Sequence, residues 1–146
     1  MVRAALGRHP CRRPRRARPP SQPPPRTAAT PKHWEQLNFL CTDALPLAAD
    51  ILDHKTIIRC VARTSRREFF EVSSSAKAKY CCIPGWCSCQ SYSFEVLGSR
   101  KLVCKHELAV MIAVAAPTPP SSLVTNELDD EKWATEFDLA LARGQL

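Results

Sequence analysis

The chain has 146 residues, 45% of them hydrophobic, and its 21 Lys or Arg against 14 Asp or Glu give a formal net charge of +7. This length suits one domain with a small core, since domains of about 100 to 150 residues are the commonest. No run of about 18 apolar residues occurs, and the first residues lack the apolar stretch of a secretory signal, so we expect neither membrane spanning nor export.

The chain begins with a basic, proline-rich tail, residues 1–31. Residues 1–32 carry nine Lys or Arg and no acid, whereas residues 33–146 have a net charge of −2. Eight of the 13 prolines lie within residues 1–31. Because proline opposes helix and sheet, we predict that the tail is disordered. Three roles stay open for it: an arm for nuclear import or nucleic-acid contact, a mitochondrial transit peptide, and a solvated extension with no specific role.

Two helices and three strands are predicted next. In residues 33–54 the apolar spacing indicates two short helices with a break after Cys41, and Thr42 or Asp43 is the expected N-cap of the second. β-branched and aromatic residues then concentrate in three short segments separated by turn-forming residues: 56–62, 67–72 and 77–83. These segments predict a three-stranded antiparallel meander.

The remaining chain predicts two further helices. Residues 107–116, ELAVMIAVAA, are apolar nearly all round and indicate a buried helix of about three turns. After a linker containing Pro and Ser, an amphipathic C-terminal helix is predicted, with Asn126 as its N-cap and an acidic first turn. Its apolar stripe consists of Leu128, Trp133, Phe137 and Leu141. Two interpretations of this stripe stay open: a partner interface, or packing against the chain's own domain.

Two closely spaced pairs of metal-binding residue types flank a gap of fourteen residues: Cys87 with Cys89, and Cys104 with His106. In an extended or turning segment, residues i and i+2 project to the same side, so both members of a pair can reach one ion. Cys104 is expected just before the buried helix, with His106 in its opening turn. The four residues predict one structural Zn²⁺ in a closed Cys3His site.

Three thiolates and a neutral imidazole around Zn²⁺ leave a charge of −1, which the neighbouring Arg100, Lys101 and Lys105 would partly offset. Without an export signal the eight cysteines should be mostly reduced, and reduced thiols favour metal ligation over a disulfide framework. The alternative is that the four residues are small core thiols and a surface histidine.

The other cysteines have a simpler interpretation. Strand alternation directs Cys82 toward the core and Cys81 away from it, so we expect strand packing, although either thiol could replace a ligand. Cys11, Cys41 and Cys60 have no partner at ligand spacing.

Independent catalysis is not favoured by any group of residues. Cys104 with His106 would suit a nucleophile and base but is better used by zinc, and Asp50, Asp53 and His54 fall at the end of a predicted helix where such side chains are usually solvated. No GxxxxGK[ST] phosphate loop occurs, so any ATP hydrolysis must come from a partner. We expect a protein that is not an enzyme.

The order Cys87-x-Cys89, fourteen residues, Cys104-x-His106, with Ala109 three positions further on, resembles the SWIM zinc finger. The similarity extends over residues 37–115, including FEVSSSAKAKYCC and CSCQSYSFEVL…LVCKHELAV, to the small SWIM-domain subunit of the Shu complex, the family of zinc finger SWIM domain-containing protein seven. The resemblance implies that Cys87, Cys89, Cys104 and His106 bind zinc, and that Ala109 takes a tight packing position.

The resemblance also implies a function. It indicates a noncatalytic, nuclear partner of a RecA-like recombinase paralogue that acts in homologous recombination repair by supporting recombinase filaments on single-stranded DNA. The alternative is a zinc module that binds single-stranded nucleic acid directly, through the tail and through Trp86, Tyr92 and Phe94, although the net-acidic residues 33–146 oppose it.

The predicted architecture is α+β, a small zinc-stabilised domain with a meander, a buried helix after the CxH pair and flanking helices. Its expected divisions are the tail (1–31), the SWIM-type domain (32–116), and the linker with the C-terminal helix (117–146).

Overall fold

A computed structural model describes residues 30–73, 78–98 and 100–143. The predicted disorder of residues 1–29 and the first residue of the third predicted strand, Lys77, lie outside this part of the chain. The helices are α1 Pro31–Leu40, α2 Ala44–His54, α3 Lys105–Ala115 and α4 Asp130–Arg143. The strands are β1 Ile57–Ala62, β2 Glu68–Ser73, β3 Lys79–Ile83, β4 Trp86–Cys87 and β5 Leu123–Leu128.

The break between α1 and α2 falls at Cys41, as predicted. Asp43 stands at the N-cap of α2, but its side chain makes no capping hydrogen bond. Thr42 instead donates its hydroxyl to the carbonyl oxygen of Asn38 at 2.9 Å. This residue therefore satisfies a free carbonyl at the end of α1 and does not cap α2. α1 begins at Pro31, whose fixed φ and missing N–H suit a first helical position.

The strands form one mixed sheet in the order β4-β3-β2-β1-β5. β1, β2 and β3 pair antiparallel in sequence, which confirms the predicted meander within an α+β fold. The meander is only part of the sheet, because β4 extends it beyond β3 and β5 lies parallel to β1. Among the helices that the structure describes, none has the length and apolar character needed to cross a membrane.

Helices cover both faces of the sheet in its central part. On the first face α2 packs against α3, and together they cover Ile57, Phe70 and Val72. On the second face α4 covers Phe69 and Cys60. Each face of the sheet therefore has its own apolar cluster.

This two-sided arrangement corrects the prediction for the adjacent cysteines of β3. Cys82 does face the first cluster, and Cys81 does point to the opposite face. Both are nevertheless only 1% exposed, because α4 covers the face to which Cys81 points. Alternation along a strand gives the direction of each side chain but does not reveal which faces are covered.

The C-terminal segment differs most from its prediction. Asn126 lies within β5, opposite Cys60 of β1, and caps no helix. The capping residue is Asp129, whose carboxylate accepts a hydrogen bond from the backbone N–H of Lys132 at 2.8 Å. Residues 117–146 are thus more than a linker and a helix, since they contribute a strand to the same sheet as residues 57–87.

The apolar stripe packs within the chain's own domain. Trp133 is 6% exposed and its indole N–H donates to the carbonyl oxygen of Cys60 at 3.1 Å. Leu128, at the end of β5, is buried in the same cluster, and Phe137 and Leu141 pack against that cluster. This packing agrees with the second interpretation of the stripe, in which its residues pack against the chain's own domain.

Candidate metal centre

Four buried side chains converge beside the first apolar cluster: Cys87, Cys89, Cys104 and His106. One ligand atom from each lies within 4.8 Å of the ligand atoms of the other three. The Cys87 sulfur is 4.0 Å from Nδ1 of His106. A tetrahedral ion with metal–sulfur bonds of about 2.3 Å holds its sulfur atoms about 3.8 Å apart. The cluster can therefore hold one metal ion with small side-chain adjustments.

The first pair is positioned by a tight hairpin. β3 and β4 are joined by a two-residue turn, Pro84 and Gly85, and Gly85 has a φ of 81°. Proline followed by a residue with positive φ is the signature of a type II turn. The hairpin ends at Cys87, and Cys89 follows two residues later where the chain leaves the sheet.

The second pair is positioned by the start of α3. Cys104 has extended backbone angles and is the N-cap, and His106 lies in the first turn. The Cys104 sulfur accepts a hydrogen bond from the backbone N–H of Glu107 at 3.4 Å. The Cys89 sulfur likewise accepts one from the backbone N–H of Tyr92 at 3.3 Å. These amide donors stabilise negative charge on sulfur, as a metal-bound thiolate requires.

Two side chains outside the cluster hold the turn beside the first pair. Glu107 in α3 accepts a hydrogen bond from the backbone N–H of Gly85 at 3.1 Å. The Tyr92 hydroxyl donates to the carbonyl oxygen of the same glycine at 2.5 Å. The turn between β3 and β4 is therefore fixed from two directions. The sequence predicted neither contact, although it marked Tyr92 as a candidate for base stacking, because a link between Glu107 and Gly85 spans 22 positions and depends on the tertiary fold.

The histidine is held by packing. The ring of Tyr80 lies against the imidazole of His106, with 4.4 Å between ring centroids and 35° between their planes. Ala109, one turn further along α3, is fully buried in the first apolar cluster, which also contains the three cysteines of the metal site. A side chain larger than a methyl group at this position would have to displace packed neighbours.

The pKa values of the three thiols are shifted in opposite directions. Hydrogen bonds from Cys87 and Cys89 hold the pKa of the Cys104 thiol well below its usual range. The hydrogen bond to Cys104 raises the pKa of Cys87 and of Cys89 in turn. A divalent ion bound by the cluster would displace the protons that remain on its thiols.

Two other buried thiols, Cys60 and Cys81, have raised pKa values. Burial, followed by the nearby Glu71 carboxylate, raises the pKa of Cys60 to about 11 and that of Cys81 to about 12. Both lie in the second cluster, on the opposite face of the sheet from the metal-binding residues. Thiols that stay protonated are poor nucleophiles and poor ligands, so these two are packing residues.

The remaining candidate residues differ in how far they are exposed to solvent. Of the three aromatic residues considered for base stacking, Tyr92 is buried, Trp86 is half-buried, and only Phe94 is well exposed, at 68%. Asp50, Asp53 and His54 are exposed on α2. Exposed groups of this kind are usually solvated, and Asp50 lines a small cavity together with Lys105 and His106.

The basic residues expected to offset the charge of the site are partly engaged elsewhere. The ammonium group of Lys101 lies 3.1 Å from the Glu95 carboxylate. Lys105 and His106 line a common small cavity. Lys101 therefore offsets the negative charge of Glu95 as well as that expected at the metal site.

Comparisons of the chain with protein-family models, with curated proteins and with solved structures find no match.

Proposed function

We propose that this protein is a noncatalytic zinc-binding subunit of a Shu-type complex, in which it partners a RecA-like recombinase paralogue and promotes homologous recombination DNA repair in the nucleus. The observation that carries the proposal is the buried Cys3His cluster at the end of a hairpin and the start of a helix. This arrangement supports the resemblance of the CxC and CxH pairs to the SWIM zinc finger.

Zinc is the metal that best suits this set of ligands. Thiolate and imidazole donors in a four-ligand set are typical of tetrahedral Zn²⁺, whereas Mg²⁺ and Ca²⁺ prefer oxygen. Four protein ligands leave no open position for water or substrate, and all four are buried. A closed site supports a structural role for the metal and a noncatalytic role for the protein.

The metal would add a second link between the hairpin and α3, which the hydrogen bond from Gly85 to Glu107 already joins. Residues 90–103 separate the two ligand pairs, and they include the π-helical segment Tyr92–Val96. With the metal bound, the hairpin end and the start of α3 would be fixed to each other. We therefore expect the protein to bind one zinc ion and to need it for folding.

Metal analysis of two matched variants tests the zinc proposal. Cys89→Ser removes a ligand, while Cys60→Ser makes the same atomic change at a buried thiol on the other face of the sheet. We expect wild-type protein and Cys60→Ser to contain one zinc per chain and to melt cooperatively, and Cys89→Ser to lose zinc and cooperative melting. Soluble, cooperatively folded wild-type protein without zinc would refute this part of the proposal.

Affinity purification of the full-length chain from its own cells tests the partnership. We expect a RecA-like ATPase to copurify with wild-type protein and with Cys60→Ser, but not with Cys89→Ser. If zinc is present and no RecA-like protein copurifies, the Shu-type assignment is wrong and the zinc site stands alone.

The second candidate is a module that binds single-stranded nucleic acid directly. It is favoured by the nine Lys or Arg and absence of acids in residues 1–32, together with the exposed ring of Phe94. If the tail alone carries this binding, full-length protein should bind single-stranded DNA and lose affinity steeply with salt, while residues 32–146 should bind poorly at any salt. Tight, salt-resistant binding by residues 32–146 would favour the direct module over the Shu-type subunit.

A further inference from the structure

A fourth thiol lies against the metal-binding cluster. The sulfur of Cys82 is 3.3 Å from the sulfur of Cys87 and donates a hydrogen bond to it. Cys82 does not belong to the group of four whose ligand atoms lie within 4.8 Å of one another. It therefore sits beside one ligand without completing the ligand set.

The backbone places this pair in a geometry that suits a disulfide. Cys82 and Cys87 are directly opposed in the antiparallel pair of β3 and β4. The neighbouring pair, Cys81 and Ser88, is a hydrogen-bonded one, since the backbone N–H of Ser88 donates to the carbonyl oxygen of Cys81 at 2.9 Å. Because the two kinds of pair alternate, Cys82 and Cys87 form a non-hydrogen-bonded pair.

Non-hydrogen-bonded pairs bring opposed residues closest together, with Cα atoms about 4.5 Å apart. That separation lies within the range of about 4.4 to 6.8 Å found across disulfides. The two sulfur atoms would need to approach by only about 1.3 Å to reach bonding distance. The backbone can therefore accept the bond without leaving the sheet.

A cavity of about 300 Å³ lies beside this pair. Cys82 forms part of its lining together with Gly85 and Glu107, and Met111, 57% exposed, stands at its rim. Both cysteines are only 1% exposed, so a large reagent would not reach them from bulk solvent. A hydroperoxide is small enough to enter the cavity and reach Cys82, whose sulfur lies 3.3 Å from that of Cys87.

We propose that Cys82 and Cys87 form an oxidisable dithiol that reacts with a hydroperoxide and removes Cys87 from the metal site. This proposal rests on the proposed zinc site, because Cys87 is one of its four ligands. The Cys87 thiolate attacks the distal oxygen of the hydroperoxide, which forms a sulfenic acid and releases an alkoxide that takes a proton from water. The Cys82 sulfur then attacks the sulfenic sulfur; the S–S bond forms, and hydroxide leaves with the thiol proton of Cys82 as water.

The net reaction oxidises the Cys87 thiolate and the Cys82 thiol together by two electrons and reduces the hydroperoxide to an alcohol and hydroxide. Only Cys89, Cys104 and His106 then remain as ligands. Since a structural zinc site needs four ligands, the ion should dissociate when the disulfide forms. Reduction of the disulfide by a thiol restores Cys87 and with it the complete site.

The test treats zinc-loaded, full-length protein with one equivalent of hydrogen peroxide. We expect the chain to lose the mass of two hydrogen atoms and to release zinc in proportion. Cleavage after Trp86 separates the two cysteines, so mass spectrometry of the fragments identifies the linked pair. Dithiothreitol with added zinc should restore the starting metal content.

Two variants make the assignment specific. Cys82→Ala removes the resolving thiol but no metal ligand, so we expect zinc in the untreated protein, no intramolecular disulfide after peroxide, and a sulfenic acid at Cys87 that dimedone traps. Cys81→Ala is the matched control, because Cys81 is equally buried but points to the other face. It should form the same disulfide as wild type.

Each outcome decides a separate question. Absence of zinc from the untreated wild-type protein would refute the proposed zinc site, and the dithiol proposal would fall with it. Zinc in the untreated protein followed by a disulfide between other cysteines, or by zinc loss with no Cys82–Cys87 link, would overturn the dithiol proposal alone.

Discussion

Trp133 provides a direct measure of how far α4 stabilises the domain. Its ring packs edge-on against Phe69 at 5.5 Å and stacks on Phe137 at 5.2 Å between centroids. The guanidinium carbon of Arg67 lies 4.9 Å from the centre of the indole ring. Its indole N–H also donates to the backbone of β1. These contacts join α4 to β1 and β2.

We expect Trp133→Ala to lower the free energy of unfolding by about 3 to 5 kcal/mol, the usual cost of truncating a buried aromatic residue. For a domain of this size each 1 kcal/mol lowers the melting temperature by about 4 to 8 °C, so the variant should melt far below wild type or fail to fold. Trp133→Phe keeps most of the packing but leaves the Cys60 carbonyl oxygen without this donor. Its expected cost is about 1 to 3 kcal/mol.

Thermal unfolding of the zinc-loaded proteins, followed by circular dichroism, measures these differences. Leu139→Ala is the matched control on α4, because Leu139 is 45% exposed. Its cost should stay below about 1 kcal/mol. If Trp133→Ala and Leu139→Ala melt at the same temperature, α4 does not complete the core, and its apolar stripe would again be available to a partner.

Three further predictions concern single residues. Gly85→Ala should destabilise the protein by about 1 to 2 kcal/mol, because Gly85 has a φ of 81°; unchanged urea unfolding would contradict this. The free energy of unfolding should fall as pH rises from about 9 to about 11, because burial raises the pKa of Cys60 to about 11 and the unfolded chain loses this proton first. Cys60→Ala should make that decline shallower, and an equally steep decline would refute the assignment. Glu71→Gln should cost about 1 to 3 kcal/mol in low salt, because the carboxylate pairs with Arg143 at 2.9 Å and with Lys79 at 3.5 Å. That cost should shrink in 1 M salt, and a salt-independent cost would exclude an electrostatic origin.

Local signals were sufficient for the parts of the fold that depend on short stretches of chain. The i, i+2 spacing of Cys87 and Cys89 places both at the end of a hairpin, and Cys104 precedes an apolar run at the position of an N-cap. The meander likewise follows from three β-rich segments separated by short turns. In each case neighbours in sequence determine the geometry.

The last strand could not be predicted in the same way. The middle four residues of β5 are exposed, so no alternation marks it as a strand. Its place is determined by parallel pairing with β1, from Ile57 opposite Leu123 to Ala62 opposite Leu128. Asn126 resembled an N-cap because acidic residues follow it, but Asp129 lies closer to the true start of α4 and forms the cap.

The two faces of the sheet achieve stability by different means. The second face buries large aromatic rings, among them Phe69 and Trp133. On the first face, α2 and α3 meet through small side chains, since Ala48 and Ala113 are completely buried there. Small residues allow close approach of two helices but remove little apolar surface from water, so each adds less hydrophobic stabilisation than a buried Leu or Phe. A metal that fixes α3 to the hairpin would add to the stabilisation that burial of Phe70 and Leu108 gives this face. For this reason ligand loss and truncation of Trp133 should both destabilise the domain, the first through α3 and the second through α4.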